Sequence, residues 1–268
     1  MGIDRRPAHM VTAILAVGLL AGCGAETVPT SSMAGPTSAP TTTSDQTSDQ
    51  TSELTTTEPA PPSTAAGDPL AGRSPLWPFS TLAEARQWRP GAGHSPWHAD
   101  AEATALAFTT GYLGFTGVDK VIDSEIGATE ATVTVGYQGD LPEPAPAATL
   151  RLVRYGDGPK APWEVVGTVD DTLTITAPEP GARVDSPMTV SGRITGVDES
   201  IRVQVRDPDR PKPVGESCCL PAGGQNTPWS TTVPIRDASN TTLTVVAATG
   251  GHVADVERFA VTGIHPAG

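Results

Sequence analysis

The first 76 residues of this 268-residue chain hold no Trp, Tyr or Phe. A stretch without large side chains has little apolar surface to bury, and burial is what offsets the entropy of ordering a backbone. A folded core before Trp77 is thereby excluded. Basic residues are missing from the same region, since no Lys or Arg lies between Arg6 and Arg73. The chain as a whole lacks positive charge: its formal net charge is -13. That excludes nucleic acid as a partner, because phosphate binding needs a basic patch, and it excludes electrostatic docking on anionic lipid. No long apolar run occurs either. Met10 to Ala21 is apolar apart from Thr12, too short for a bilayer core that takes about 20 residues to span.

What the N-terminus does contain reads as an address. Arg5 and Arg6 form a basic n-region, Met10 to Ala21 has the length of a signal-peptide h-region, and Leu20-Ala21-Gly22-Cys23 closes it. This order and spacing resembles the lipobox of bacterial lipoproteins. The resemblance implies cleavage after residue 22, acylation of Cys23, and a chain anchored to the cell membrane on its extracytoplasmic side. A twin-arginine signal is not expected, because Pro7-Ala8-His9 stands where apolar residues should follow the pair. Residues 23–73 are rich in Thr, Ser and Pro, with the tandem Ser44-Asp45-Gln46-Thr47 and Ser48-Asp49-Gln50-Thr51. Scattered acids and Pro59-Ala60-Pro61-Pro62 favour an extended, disordered stalk.

Residues 74–170 change character. Ser80 is placed to cap a short helix through about Trp88. Ala105, Phe108 and Tyr112 recur at helical spacing, predicting a second helix from His98 or Ala99 to about Leu113, with Gly114 as its cap. Strand periodicity follows. Val133, Val135 and Tyr137 alternate with polar or small residues, Leu150 and Leu152 with Arg151, and Trp163 and Val165 with Glu164. The Pro-rich Gly139 to Ala148 reads as a loop. A helix plus an antiparallel sheet is an α+β pattern, and its order and length resemble the cystatin-like arrangement.

Residues 171–264 carry no helical pattern. Leu173 to Ala177, Val184, Met188 to Gly192, Ile201 to Val205, Trp229 to Val233, Leu243 to Ala247 and Val256 to Val261 are short strand patterns between turn signals, which predicts a β-sandwich. Ile175-Thr176-Ala177-Pro178, Pro180-Gly181, Ser186-Pro187, Val190-Ser191-Gly192 and the strand Ile201 to Val205 resemble the immunoglobulin-like domain of bacterial spore germination. That resemblance spans about residues 172 to 263. It implies an extracellular module, often joined to other envelope domains in lipoproteins, with no catalytic residues to carry over.

Several constellations bear on chemistry. With Cys23 taken by lipid, Cys218 and Cys219 are the remaining thiols in an oxidising compartment. Adjacent cysteines close a ring with each other, bridge to another chain, or stay free; pairing with each other is the expectation, in a loop running from Pro211 to Pro228. His94 and His98 have the i,i+4 spacing of two zinc ligands on a helix, but Pro96 lies between them and no third ligand is adjacent, so surface histidines at a helix entry are expected. Gly93-His94-Ser95-Pro96-Trp97 resembles a nucleophile elbow with Trp97 in place of the second Gly, and no strand pattern precedes it. Asp170-Asp171 and Asp207-Pro208-Asp209 lack a full calcium loop and read as solvated turn acids. Trp77, Trp88 and Trp97 either line a ligand surface or close the small core of the middle segment.

Together these observations predict a membrane-tethered, non-enzymatic envelope lipoprotein, a binding or scaffold module without cofactor or metal. Its partners are the membrane through the anchor and a cell-wall glycan or envelope protein. The alternatives are a small extracytoplasmic hydrolase with its site in residues 74–170, or an accessory subunit of a membrane enzyme.

Overall fold

A computed structural model describes residues 70, 72–91, 95–196 and 199–267. The expected signal peptide and lipidated Cys23, the expected stalk through residue 69, and His94 lie outside the described residues.

Helix α1 runs over Leu82–Gln87. Its cap is Thr81, one residue later than Ser80. Thr81 Oγ1 accepts the Glu84 N–H at 3.2 Å, while the Glu84 carboxylate accepts the Ser80 N–H at 2.9 Å. The Thr-x-x-Glu spacing satisfies two otherwise free donors, which decides the start. The second helix is composite. Pro96–Ala99 forms a 3-10 turn, α2 covers Ala101–Leu106, and a wider π turn covers Ala107–Tyr112. Asp100 caps α2 by accepting the Ala103 N–H at 3.0 Å. Pro96 is accommodated because the first position of a helical turn needs no N–H. Gly114, at φ 76°, reverses the chain after it.

The first sheet has the order β1-β2-β3-β4: Lys120–Ile126, Glu130–Tyr137, Ala145–Arg154 and Trp163–Thr168, all antiparallel. One face packs on the helix through Val133, Val135, Leu150, Leu152, Trp163 and Val165 against Ala101, Ala105 and Phe108. Strand β3 starts within the expected loop, because Pro146 falls where the β2–β3 register shifts and a missing N–H is tolerated. The alternation of Glu164 with Trp163 and Val165 predicts a half-buried strand, yet Glu164 too is fully buried. Its side of the strand is closed as well: Leu76 and Trp77 pair along the open edge of β4 at Val165, and the chain then brings the Phe79 N–H to the Glu164 carboxylate.

The remaining strands are β5 (Leu173–Ala177), β6 (Ala182–Val184), β7 (Met188–Gly196), β8 (Ser200–Arg206), β9 (Gly215–Pro221), β10 (Gly224–Val233), β11 (Leu243–Thr249) and β12 (Arg258–Pro266). They form a three-stranded sheet, β10-β7-β5, and a five-stranded sheet, β6-β12-β11-β8-β9. Only β6 runs parallel to its neighbour, β12. The two sheets share one core, with Leu173, Val190, Ile194 and Trp229 on one side and Ile201, Val203, Val245 and Ile264 on the other. The segment expected as a loop, 211–228, contains β9 and the start of β10. As an edge strand, β9 is held by main-chain pairing to β8 and needs no alternating apolar pattern.

The five-stranded sheet is buried on both sides along β11 and β12. Leu243, Val245, Ala260 and Ile264 face the sandwich core, while Val246, Phe259 and Val261 join the core built around α2. Tyr112 donates from its hydroxyl to Thr244 Oγ1 at 3.1 Å, and the Val261 N–H donates to Thr168 Oγ1 at 3.0 Å. The described residues of both segments thus lie in one compact unit.

Candidate functional site

The outer face of the five-stranded sheet is covered along β11 and β12 and left open toward β8 and β9. There it forms one wall of a cleft of about 860 Å³. Strand β8 sends Ile201, Val203 and Val205 into the sandwich core, so strand geometry sends Arg202, Gln204 and Arg206 the other way. These three line the cleft, with Cys218 and Cys219 of β9 beside them and Val246 and Ala248 of β11 at its base. The facing wall is the chain that follows the helix, from Leu113 to Val118, with Tyr137. The loop from Gly250 to Val256 closes one end.

Each wall has an identifiable support. The Arg206 guanidinium donates to the Tyr112 carbonyl at 2.6 Å and lies 5.9 Å from the Tyr112 ring centroid. A cation at a helix C-terminus complements its free carbonyls. Burial pushes the Tyr112 hydroxyl up to about 12, against the hydrogen bond to Thr244 and the charge of Arg206, so it is a neutral donor. The Gly250 to Val256 loop is pinned by Glu257, whose Oε1 accepts N–H groups from His252, Val253 and Ala254 at 3.1, 2.6 and 3.2 Å. Burial works against the Glu257 charge, but these donors hold its carboxyl below the usual range. Glu199 beside it is pushed the other way, by burial and by the Glu257 charge, against a hydrogen bond with Thr249.

Two arginines and one aspartate, Asp255, are the charged groups lining the cleft. The two guanidiniums outnumber the one carboxylate in the lining, while Glu216 and Glu257 stand directly behind it, bonded to Gln204 and to the Gly250 to Val256 loop. Arg206 is committed to Tyr112. Gln204 donates to the Glu216 carboxylate at 2.7 Å. Arg202 is exposed, and its side chain has neither an ion pair nor a hydrogen bond among the described residues. Cys218 and Cys219 are both exposed and are disulfide-bonded to each other.

The other residues singled out from the sequence go elsewhere. Trp77 stacks on Trp97 with ring centroids 5.0 Å apart and planes 9° from parallel, and on Tyr112 at 6.2 Å. Trp88 stands apart, edge-on to His98 at 5.8 Å. The three tryptophans therefore form no single surface. His98 is no surface histidine: it is buried among Phe79, Trp88 and Trp97, at 4.9, 5.8 and 3.8 Å, and burial lowers its pKa to about 4. Ser95 has a left-handed backbone, φ 53°, but its hydroxyl bonds to no histidine among the described residues. Asp207 is not a solvated turn acid. It is buried, and its carboxylate accepts the Ser239 N–H at 2.8 Å, the Ser239 hydroxyl at 3.0 Å and the Asp209 N–H at 2.9 Å, tying two loops together. Asp170 accepts the Thr172 N–H at 2.6 Å. No group of three or more His, Cys, Asp or Glu among the described residues is arranged to hold a metal ion.

Sequence reasoning missed Arg202. Its signal was present in the alternation Ile201-Arg202-Val203-Gln204-Val205-Arg206, which puts two arginines on one face of a strand. That this face borders a cleft depends on residues 113–118, which no local pattern connects to it. No family model, curated protein or solved structure matches this chain.

Proposed function

We propose that this chain is an extracytoplasmic lipoprotein whose folded unit is a binding module, and that the cleft beside β8 and β9 is its ligand site. The ligand is an anionic component of the cell envelope, a carboxylate-bearing glycan or peptide fragment. The observation that carries this reading is Arg202, exposed on the cleft wall with a side chain that has no partner among the described residues. A concave site with a few convergent polar groups over an apolar base suits a small ligand. Local cationic charge in an acidic protein favours anions by field focusing.

The location rests on Leu20-Ala21-Gly22-Cys23 and the signal peptide before it. No helix among the described residues is long and apolar enough to cross a membrane. Cys23→Ser is expected to release the protein from the membrane fraction into the medium; retention of the variant would mean another tether. We also read residues 171–264 as the immunoglobulin-like sandwich of the germination type, a reading supported by its three-stranded and five-stranded sheets. The four-stranded sheet with its helix supports the cystatin-like reading of residues 74–170.

The binding reading is tested by retention of acidic envelope fragments on the immobilised protein. Arg202→Glu should reduce retention at least fivefold, while Arg236→Glu, the same charge change outside this cleft, should leave it within twofold. Equal losses in both variants, or none in either, would count against the cleft.

A further inference from the structure

The cleft holds something a plain anion site does not need. Cys218 and Cys219 sit on β9, the edge strand, so among the described residues no further strand of that sheet lies beyond them. Both are exposed, and both line the cleft. In the β8–β9 register Cys218 stands opposite Arg202, and in the β8–β11 register Arg202 stands opposite Ala248. Residues directly opposite on neighbouring strands project to one face. The outer face therefore presents, in order across three strands, the apolar base, a guanidinium without a partner among the described residues, and a sulfur.

The bond between these cysteines cannot be explained as a staple. A disulfide stabilises chiefly by closing a loop in the unfolded chain, and a sequence separation of 1 closes almost none. Strand β9 is held by its main-chain ladder to β8 and by the 2.7 Å contact of Ser217 Oγ with Thr231 Oγ1. An accessible disulfide beside a cation is the setting in which thiol–disulfide exchange proceeds. The positive charge draws in an anionic attacking thiolate and stabilises the departing one.

We propose that this cleft performs thiol–disulfide exchange with a small thiol that carries a carboxylate. The inference rests on reading the cleft as an anion site. The ligand carboxylate pairs with Arg202, and its thiolate attacks one of the two sulfurs. A ligand–cysteine S–S bond forms and the Cys218–Cys219 bond breaks. The electron pair of the broken bond leaves on the other sulfur as a thiolate, which takes a proton from solvent. A second ligand thiolate attacks the ligand sulfur of the mixed disulfide, releasing the ligand disulfide and the second cysteine thiolate, which is protonated in turn. Two thiols are oxidised to one disulfide, the Cys218–Cys219 disulfide is reduced to a dithiol, and two protons pass from the ligand thiols to the cysteines. The reverse sequence, with the ligand disulfide as oxidant, restores the protein.

Three thiols of matched length test the proposal on the full chain: 3-mercaptopropionate, 2-mercaptoethanol and cysteamine. Reduction of the disulfide is followed by alkylation quench and intact mass, and each rate is divided by the same thiol's rate with a neutral small-molecule disulfide, which cancels its thiolate fraction and intrinsic nucleophilicity. The anionic thiol should react about fivefold faster than the neutral one, and the cationic thiol slowest. Arg202→Gln should bring the anionic and neutral rates together, and Arg236→Gln should leave the ranking intact. Cys218→Ser and Cys219→Ser, treated with the disulfide of 3-mercaptopropionate, should each gain one ligand as a mixed disulfide. Equal rates for the three thiols in the unaltered chain, or a ranking that survives Arg202→Gln, overturns the proposal. If the ranking is flat while Arg202→Glu still abolishes retention of envelope fragments, exchange is wrong and the anion site stands. If retention also survives Arg202→Glu, both readings fail.

Discussion

Glu164 and His98 are titratable groups placed among apolar side chains, and their effects on stability oppose each other. Burial raises the Glu164 carboxyl well above its ordinary 4.5, against hydrogen bonds from the Phe79 and Trp77 backbone. Its folded form is neutral where the unfolded chain is already ionised, so its contribution is present below about pH 4.5 and is lost as pH rises. His98 has a folded pKa of about 4 against an ordinary 6.5. Its contribution is present above pH 6.5 and is lost as pH falls from there toward 4. Each group acts with a slope of at most ~1.4 kcal/mol per pH unit. Glu164→Gln keeps an oxygen for the Phe79 N–H and removes the ionisation. It should stabilise the protein at pH 8, with the gain shrinking toward pH 4.5. Denaturant unfolding of both proteins across this range measures it, and a constant difference would contradict a buried neutral Glu164. Neither residue was legible in the sequence. Alternation along one strand tells which side chains share a face, and nothing in Trp163-Glu164-Val165 says that residues 76–79 return along the strand's edge and bring Phe79 to Glu164.

At the scale of elements, strands with one buried face were legible and strands with unusual neighbours were not. The alternations of β2, β3, β5, β7 and β8 each reflect one apolar side turned to a core. Strand β9, with Cys, Glu and Ser, offers no such alternation because it is an edge strand with a burial pattern dominated by exposed residues. Strand β1 is an edge strand too, and went unread for the same reason. Gly192 in β7 shows a residue chosen by its neighbours. It pairs with Trp229 on one side and Ile175 on the other. An added Cβ would meet the Thr174 carbonyl oxygen and come within 2.7 Å of the Trp229 ring. Gly192→Ala should therefore cost about 3 kcal/mol in denaturant unfolding, through forced displacement in a packed sheet. Gly111→Ala, where a Cβ meets nothing within 4 Å in a helical turn, should instead stabilise by up to about 1 kcal/mol. Equal effects would show that the β5–β7–β10 sheet tolerates a shift that its register forbids.

For the whole molecule, the division into residues 74–170 and 171–264 follows a change in pattern, from helix-containing to all-strand, while packing joins the two parts across β11 and β12. A signal for this was present. Val245-Val246-Ala247-Ala248 and Phe259-Ala260-Val261 are continuous apolar runs, as expected of strands covered on both faces. Such a run does not name what covers the second face, so the cleft at the margin of that cover was not legible. Because the helix end and loop come from one segment and Arg202 and the cysteines from the other, the site exists only in the assembled unit. The central claim is that this cleft holds an anionic envelope ligand. Photo-crosslinking in intact cells tests it most directly, with the crosslinking residue placed at Thr116 on the cleft wall or at Thr232 on an exposed position of β10. An adduct of discrete mass at Thr116, absent at Thr232 and lost on Arg202→Glu, is the predicted result. The same adducts at both positions, or an adduct at Thr116 that persists in Arg202→Glu, would contradict the account.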